Sequence, residues 1–178
     1  MTDTSAPKGD PAVFPIRGQI VLVRNSPGIM VDTPVRADTP TEVTYVMERA
    51  AGGGTILGGS YEPYSWESQP NPDLANRIMA RAVDIVPSLV DDRALRGVSG
   101  TDRNLGGVQG LSVIRHGVGL RPAREGGARI ERVQMGNLCV VHQYGHGGTG
   151  YQSSYGTARR AIELVKEGLR ESSTRAKL

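Results

Sequence analysis

The stretch YGHGGTGYQ, Tyr144 to Gln152, follows an apolar run and contains GHGGTG, which satisfies the spacing G-x-G-x-x-G. That spacing is used where a glycine-lined turn brings backbone N–H groups and a helix N-terminus to a dinucleotide pyrophosphate. A carboxylate on the next parallel strand then takes the ribose. Here LCVVHQY, the turn and a helix do follow one another, but no second parallel strand and no ribose-binding carboxylate come after. The dinucleotide interpretation fails. Two alternatives stay open: a helix N-terminus suited to an anion or electron-rich acceptor, or a turn that only packs a strand tightly on a helix.

Cys139, His142 and His146 have the spacing C-x2-H-x3-H, which raises zinc as a second chemistry. Residues three apart on a strand point to opposite faces, and no fourth ligand is evident. No metal site is expected.

Composition narrows the rest. The chain has 178 residues, enough for one well-packed domain, with 24 glycines and six tyrosines among few aromatics. The formal charge of +3 is spread along the chain without a dense basic run, so nucleic acid is not an expected partner. No segment approaches transmembrane length and none resembles a signal peptide, so no membrane association is expected. Cys139 is the lone cysteine, which rules out an internal disulfide. The terminal Ala176-Lys177-Leu178 is a close variant of the S-K-L peroxisomal address, which points to a peroxisome and to its import receptor as a partner.

The elements that must position these residues read as follows. Residues 1–12 are small and polar, a disordered leader; residues 13–172 form the domain; residues 173–178 are a tail with the import-type signal. Strands are expected at 17–24, 43–49 and 55–61, the last two joined by Gly52-Gly53-Gly54. Asn71-Pro72-Asp73 caps a helix whose apolar residues Leu74, Ile78, Ala82 and Ile85 recur at helical spacing, with Pro87 as its stop. Residues 97–110 read as a long Gly-rich loop, and 111–119 as a strand. ARIERVQM and LCVVHQY form a hairpin through Gly136-Asn137, a type II′ signal. A final helix opens near Gly150, with Ala158, Ala161, Ile162, Val165 and Leu169 on its expected inward face and Arg159, Glu163 and Lys166 opposite. The class is α+β: mostly antiparallel sheet built from hairpins, one middle helix and a C-terminal helix.

Four stretches, PIRGQIVLV (15–23), TILGGSY (55–61), VIRHGVGLRPAR (113–124) and VVHQYGHGGTGYQ (140–152), together resemble the C-terminal portion of the D-amino-acid oxidase family of FAD-dependent enzymes. The resemblance runs from Pro15 to about Gly168, with the motifs in family order. It implies oxidation of a D-amino acid by hydride transfer to flavin, giving an imino acid that hydrolyses to a keto acid and ammonia, with oxygen reduced to hydrogen peroxide. Positioning carries most of such catalysis, and no strong general base is implied.

By the same resemblance, Arg121 grips the substrate carboxylate through two parallel hydrogen bonds, a geometry Lys cannot copy. Tyr45 matches a tyrosine whose hydroxyl meets that carboxylate, and Tyr61 a second, lid-like tyrosine. Gln152 joins Arg121, Tyr45 and Tyr61 as a substrate-binding residue. Gly147, Gly148, Gly150, Tyr151 and Gln152, with Arg121, match the surroundings of the flavin ring, where a helix N-terminus stabilises charge at the reduced ring's edge. The glycine loop thus points to the ring of FAD and not to its phosphates.

One departure is large: the strand, glycine turn and helix that hold the FAD diphosphate in the family have no counterpart here. Three possibilities follow. The chain is the substrate-binding half of such an oxidase, from an incomplete gene or a split enzyme, with a missing N-terminal FAD-binding half or a second copy as partner. It is a non-catalytic interaction module of the same descent. Or it belongs to a related oxidase acting on glycine or an N-methyl amino acid.

Overall fold

The computed structural model describes residues 9–33, 40–90 and 107–175, with side chains to residue 171. Residues 1–8 of the leader, 97–106 of the Gly-rich loop and the AKL terminus lie outside the described residues. The chain divides into two compact units, residues 17–120 and residues 1–16 with 121–178. Strands β1 (Val13–Val23) and β6 (Val113–Arg124) each contribute residues to both.

The unit of residues 17–120 is built on a sheet. Its order is β2 (Val31–Thr33), β3 (Glu42–Glu48), β4 (Thr55–Ser60), β1 and β5 (Glu62–Pro63), and β6 also pairs with β1. β1 and β4 run antiparallel with Val21 opposite Leu57, and β3 and β4 run antiparallel with Tyr45 opposite Gly58. The register of β3 on β4 shifts between Glu42 and Tyr45. The expected strands and the glycine-turn hairpin are present. β2 and β5, at three and two residues, are too short to leave a periodic signal.

Helix α1 (Pro72–Ile85) starts where its cap is written. The Asn71 side chain accepts hydrogen bonds from the N–H groups of Asp73 and Leu74, and Pro72 occupies the first turn. Leu74, Ile78 and Ala82 are buried against β3 and β4, in one core with Val21, Val46 and Leu57. Burying a side chain of the size of Leu or Ile contributes about 1.5–3 kcal/mol. On β1 the residues of this face alternate in sequence. Val23 and Val21 join the core, and further along the same face come Gln19 and Arg17, buried yet polar.

In the other unit, β7 (Arg129–Met135) and β8 (Leu138–Tyr144) form the expected hairpin, with Val133 opposite Val140. Gly136 has φ +59°, while among the described residues Tyr64 is the one non-glycine with positive φ. Asn137 therefore keeps negative φ, the pattern of a type II′ turn.

Helix α2 (Gly150–Arg175) packs on this hairpin, and here the sequence-based face is corrected. Leu164 is buried and Gly168 lies so near β8 that a Cβ there would sit 2.6 Å from Cys139 Sγ. Ala161 is half-buried, but Ile162, Val165 and Leu169 are exposed, as is Ala158. The inward stripe is Ser153, Thr157, Ala161, Leu164 and Gly168, and the Gln143 amide donates to Thr157 Oγ1 at 2.9 Å across the contact. Two apolar stripes share the helix, and small residues mark the packed one because the hairpin approaches closely.

Candidate active site

In the unit of residues 1–16 and 121–178, the GLRPAR and GHGGTG motifs adjoin. β6 ends at Arg124, and Ala123 bridges antiparallel to His146. Gly145 has φ +82°, and a Cβ on it would lie 2.6 Å from that of Arg124. A left-handed backbone with no space beside it admits only glycine. A single 3-10 turn over Gly147–Thr149 follows, with Thr149 N–H donating to the His146 carbonyl at 3.1 Å, and α2 begins at Gly150.

Arg121 runs alongside this turn: its Cδ lies 3.8 Å from where a Cβ on Gly148 would be. Gly148 and Thr149 are exposed, Gly150 is half-buried, and Tyr151 and Gln152 project from the first turn of α2 into the open. That first turn holds no acidic side chain, so the partial positive charge of the helix end is not offset locally. An open glycine backbone, helix N–H groups and a neighbouring guanidinium fit an electron-rich ring edge such as that of a flavin. The residues present are compatible with that group.

Behind the turn stands a residue the sequence does not announce. Asp10, inside the stretch read as leader, accepts from Arg124 Nε at 2.8 Å, from the Tyr144 hydroxyl at 2.7 Å and, through its other oxygen, from Ala12 N–H at 3.0 Å. Arg129 Nη1 donates to the same Tyr144 hydroxyl at 2.7 Å. The Arg124 hydrogen bond, then those from Tyr144 and Ala12, hold the Asp10 carboxyl far below the ordinary carboxylate range. Asp10 raises the Arg124 guanidinium in return. The cluster ties the last residue of β6 to the residue that precedes the glycine loop. No local pattern betrays it, because Asp10 and Tyr144 are 134 residues apart.

His142 lines a cavity with Asp10, Arg129 and Tyr144, and its ring meets Tyr144 edge-on at 5.8 Å. Cys139 instead faces α2 at Gly168. Among the described residues, no three His, Cys, Asp or Glu side chains are grouped to hold a metal.

In the unit of residues 17–120, the two candidate tyrosines belong to the β3–β4 hairpin. The Tyr45 ring packs against Gly58-Gly59: a Cβ on Gly58 would be 1.8 Å from Tyr45 Cζ, and one on Gly59 would be 3.0 Å from its Oη. Tyr61 follows β4 directly. Its N–H donates to the Thr41 carbonyl at 2.6 Å, while its side chain is exposed. Tyr45 and Tyr61 thus stand in one unit, and Arg121, Gly147, Gly148, Gly150, Tyr151 and Gln152 in the other.

The comparisons with known proteins agree with one another. A family model described as FAD dependent oxidoreductase matches residues 2–164. The chain is 48% identical over 157 residues to a D-amino-acid oxidase of Fusarium vanettenii, a match covering 88% of this chain and 40% of that protein. It is 35% identical over 181 residues to a D-aspartate oxidase of Cryptococcus neoformans var. grubii, covering 90% of this chain and 45% of that protein. A crystal structure of glycine oxidase from Geobacillus kaustophilus shares the fold at a TM-score of 0.62 and 18% identity, over 88% of this chain and 36% of that one. The chain spans less than half the length of these relatives.

Proposed function

Since this chain belongs to the FAD-dependent oxidoreductase family, we propose that it is the substrate-binding, flavin-contacting portion of a D-amino-acid oxidase. The observation that carries this is Arg121 lying beside Gly148 in the turn that leads into α2, so that one short stretch of chain brings a guanidinium next to a helix N-terminus.

In this proposal each residue binds or orients. Arg121 pairs with the α-carboxylate through two charge-assisted hydrogen bonds and so anchors one end of the substrate. The Tyr45 hydroxyl adds a hydrogen bond to a carboxylate, and its ring is kept in place by Gly58-Gly59. Tyr61, whose side chain is exposed, takes the lid role that the family resemblance implies. Gly147, Gly148 and Gly150 let the backbone approach the flavin ring, and the N–H groups of Tyr151 and Gln152 face negative charge there. When bound, FAD supplies the two-electron acceptor, and oxygen carries those electrons on to hydrogen peroxide.

The test is calorimetric titration of the chain, with FAD present, by D-alanine and L-alanine, repeated with Arg121→Lys. D-alanine is expected to bind in preference to L-alanine. R121K is expected to weaken D-alanine binding about 10- to 100-fold, the cost of a lost charge-assisted hydrogen bond. Equal binding of both enantiomers, or indifference to R121K, contradicts it.

A further inference from the structure

Tyr61 combines a fixed backbone with an open ring. At 43% exposure the side chain is only partly covered, so its position depends strongly on the main chain that carries it. That main chain is bound on both sides. Before it, Ser60 is buried, and its Oγ accepts from Gln19 N–H at 3.0 Å. After it, Glu62 Oε1 accepts from the Ser60 hydroxyl at 2.7 Å and from Arg17 Nη1 at 2.6 Å. One carboxylate oxygen therefore bridges the residues flanking Tyr61 and fastens both to β1.

Arg17 is a rigid anchor. It is 2% exposed, and its remaining donors reach the carbonyls of Glu67 and Gln69 at 2.8 Å each and Gln19 Oε1 at 2.9 Å. A guanidinium satisfied in this way has no freedom to follow Glu62, so Glu62 must follow it. Burying such an ion is costly unless its hydrogen-bond partners are in place.

We infer that Glu62, clamped between Arg17 and Ser60, is a positioning residue that fixes the backbone of Tyr61 so that its ring alone moves over the substrate. The inference rests on the substrate role proposed for Tyr61. It assigns no contact between Glu62 and substrate. Without the clamp, Tyr61 spends only part of its time in the competent position, and apparent affinity falls by that fraction.

The experiment is 19F NMR of the 178-residue chain carrying 3-fluorotyrosine, with Tyr61 and Tyr45 assigned by Tyr61→Phe and Tyr45→Phe. Without substrate, Glu62→Ala is expected to shift and broaden the Tyr61 resonance and leave that of Tyr45 in place. Glu62→Gln, which keeps the acceptor oxygen, is expected to restore it. An unchanged Tyr61 resonance in E62A overturns the inference, as does E62Q disturbing Tyr45 and Tyr61 alike, which would mean a general loss of fold. With FAD and D-alanine added, half-saturation of the Tyr61 shift is expected at about three- to tenfold higher D-alanine in E62A than in the wild type. Equal half-saturation overturns the positioning role. A wild-type Tyr61 signal that ignores D-alanine would remove the substrate role of Tyr61, and with it the consequence drawn for affinity, while the substrate-free spectra still decide whether Glu62 fixes Tyr61.

Discussion

The ring of Tyr45 occupies the space that any side chain on Gly58 would need, with Cζ 1.8 Å from the position of a Cβ. The glycine and the tyrosine, opposite each other on β3 and β4, form one device. Gly58→Ala is expected to displace the ring and destabilise the chain by about 1–3 kcal/mol, as overpacking does. In a double-mutant cycle by thermal unfolding, Tyr45→Ala should absorb most of that cost, because the clash is then gone. Additive effects would show that the two do not share this space.

The glycine loop separates shape from binding. Gly147 has φ +55°, a conformation that costs an L-residue roughly 1–2 kcal/mol, so Gly147→Ala should lower Tm measurably. Gly148 lacks a positive φ, and a Cβ there meets only Arg121 Cδ at an ordinary 3.8 Å. Gly148→Ala should leave Tm unchanged and still weaken flavin binding, read by fluorescence titration with FAD. Tight flavin binding by G148A would place the ring elsewhere.

Acid sensitivity follows from Glu42, a buried residue of β3 paired with Arg77 and Arg81 of α1. Burial pushes its carboxyl up from the ordinary 4.5, but hydrogen bonds and charges from Arg77 and Arg81 outweigh this and lower it overall. A carboxyl lower in the folded than in the unfolded chain stabilises fully above its unfolded value, and loses that contribution as pH falls through the folded one. Glu42→Gln should therefore lower Tm at pH 7, with the gap closing as pH drops below 4.5. Asp10, lowered in the same sense by Arg124, Tyr144 and Ala12, predicts a gap for Asp10→Asn that closes only as pH drops below its ordinary 3.8. A gap that widens in acid would contradict both.

Helix α2 offers a direct check of register. Leu164→Ala should cost about 2–5 kcal/mol, as buried Leu-to-Ala changes do, whereas Ile162→Lys and Leu169→Lys should leave Tm nearly unchanged, since both side chains are exposed. The reverse order would restore the face that periodicity alone suggests.

These contrasts show where the sequence is legible. The cap and Pro72 of α1, the Gly136 turn and the apolar run of β1 act locally, through backbone preference and nearest neighbours, so their letters predict them. The inward face of α2 is not local. Ile162, Val165 and Leu169 carry more apolar surface than Ala161 and Gly168, and only the close approach of β8 at Cys139 decides in favour of the small residues. Arg17 with Glu62, and Asp10 with Arg124, join residues 45 and 114 positions apart, and no period or motif links them. Arg121, Tyr45 and Tyr61 are named by family resemblance; the glycines beside Arg121 and Tyr45 and the ion pair next to Tyr61 are visible only in three dimensions.

The most direct measurement is the visible flavin spectrum of the chain in excess FAD, recorded without oxygen before and after D-alanine or L-alanine. Flavin contact at Gly147, Gly148 and Gly150 predicts a spectrum displaced from that of free FAD, and carboxylate binding at Arg121 predicts a further change with D-alanine but not with L-alanine. A spectrum identical to free FAD, untouched by either enantiomer, would contradict both.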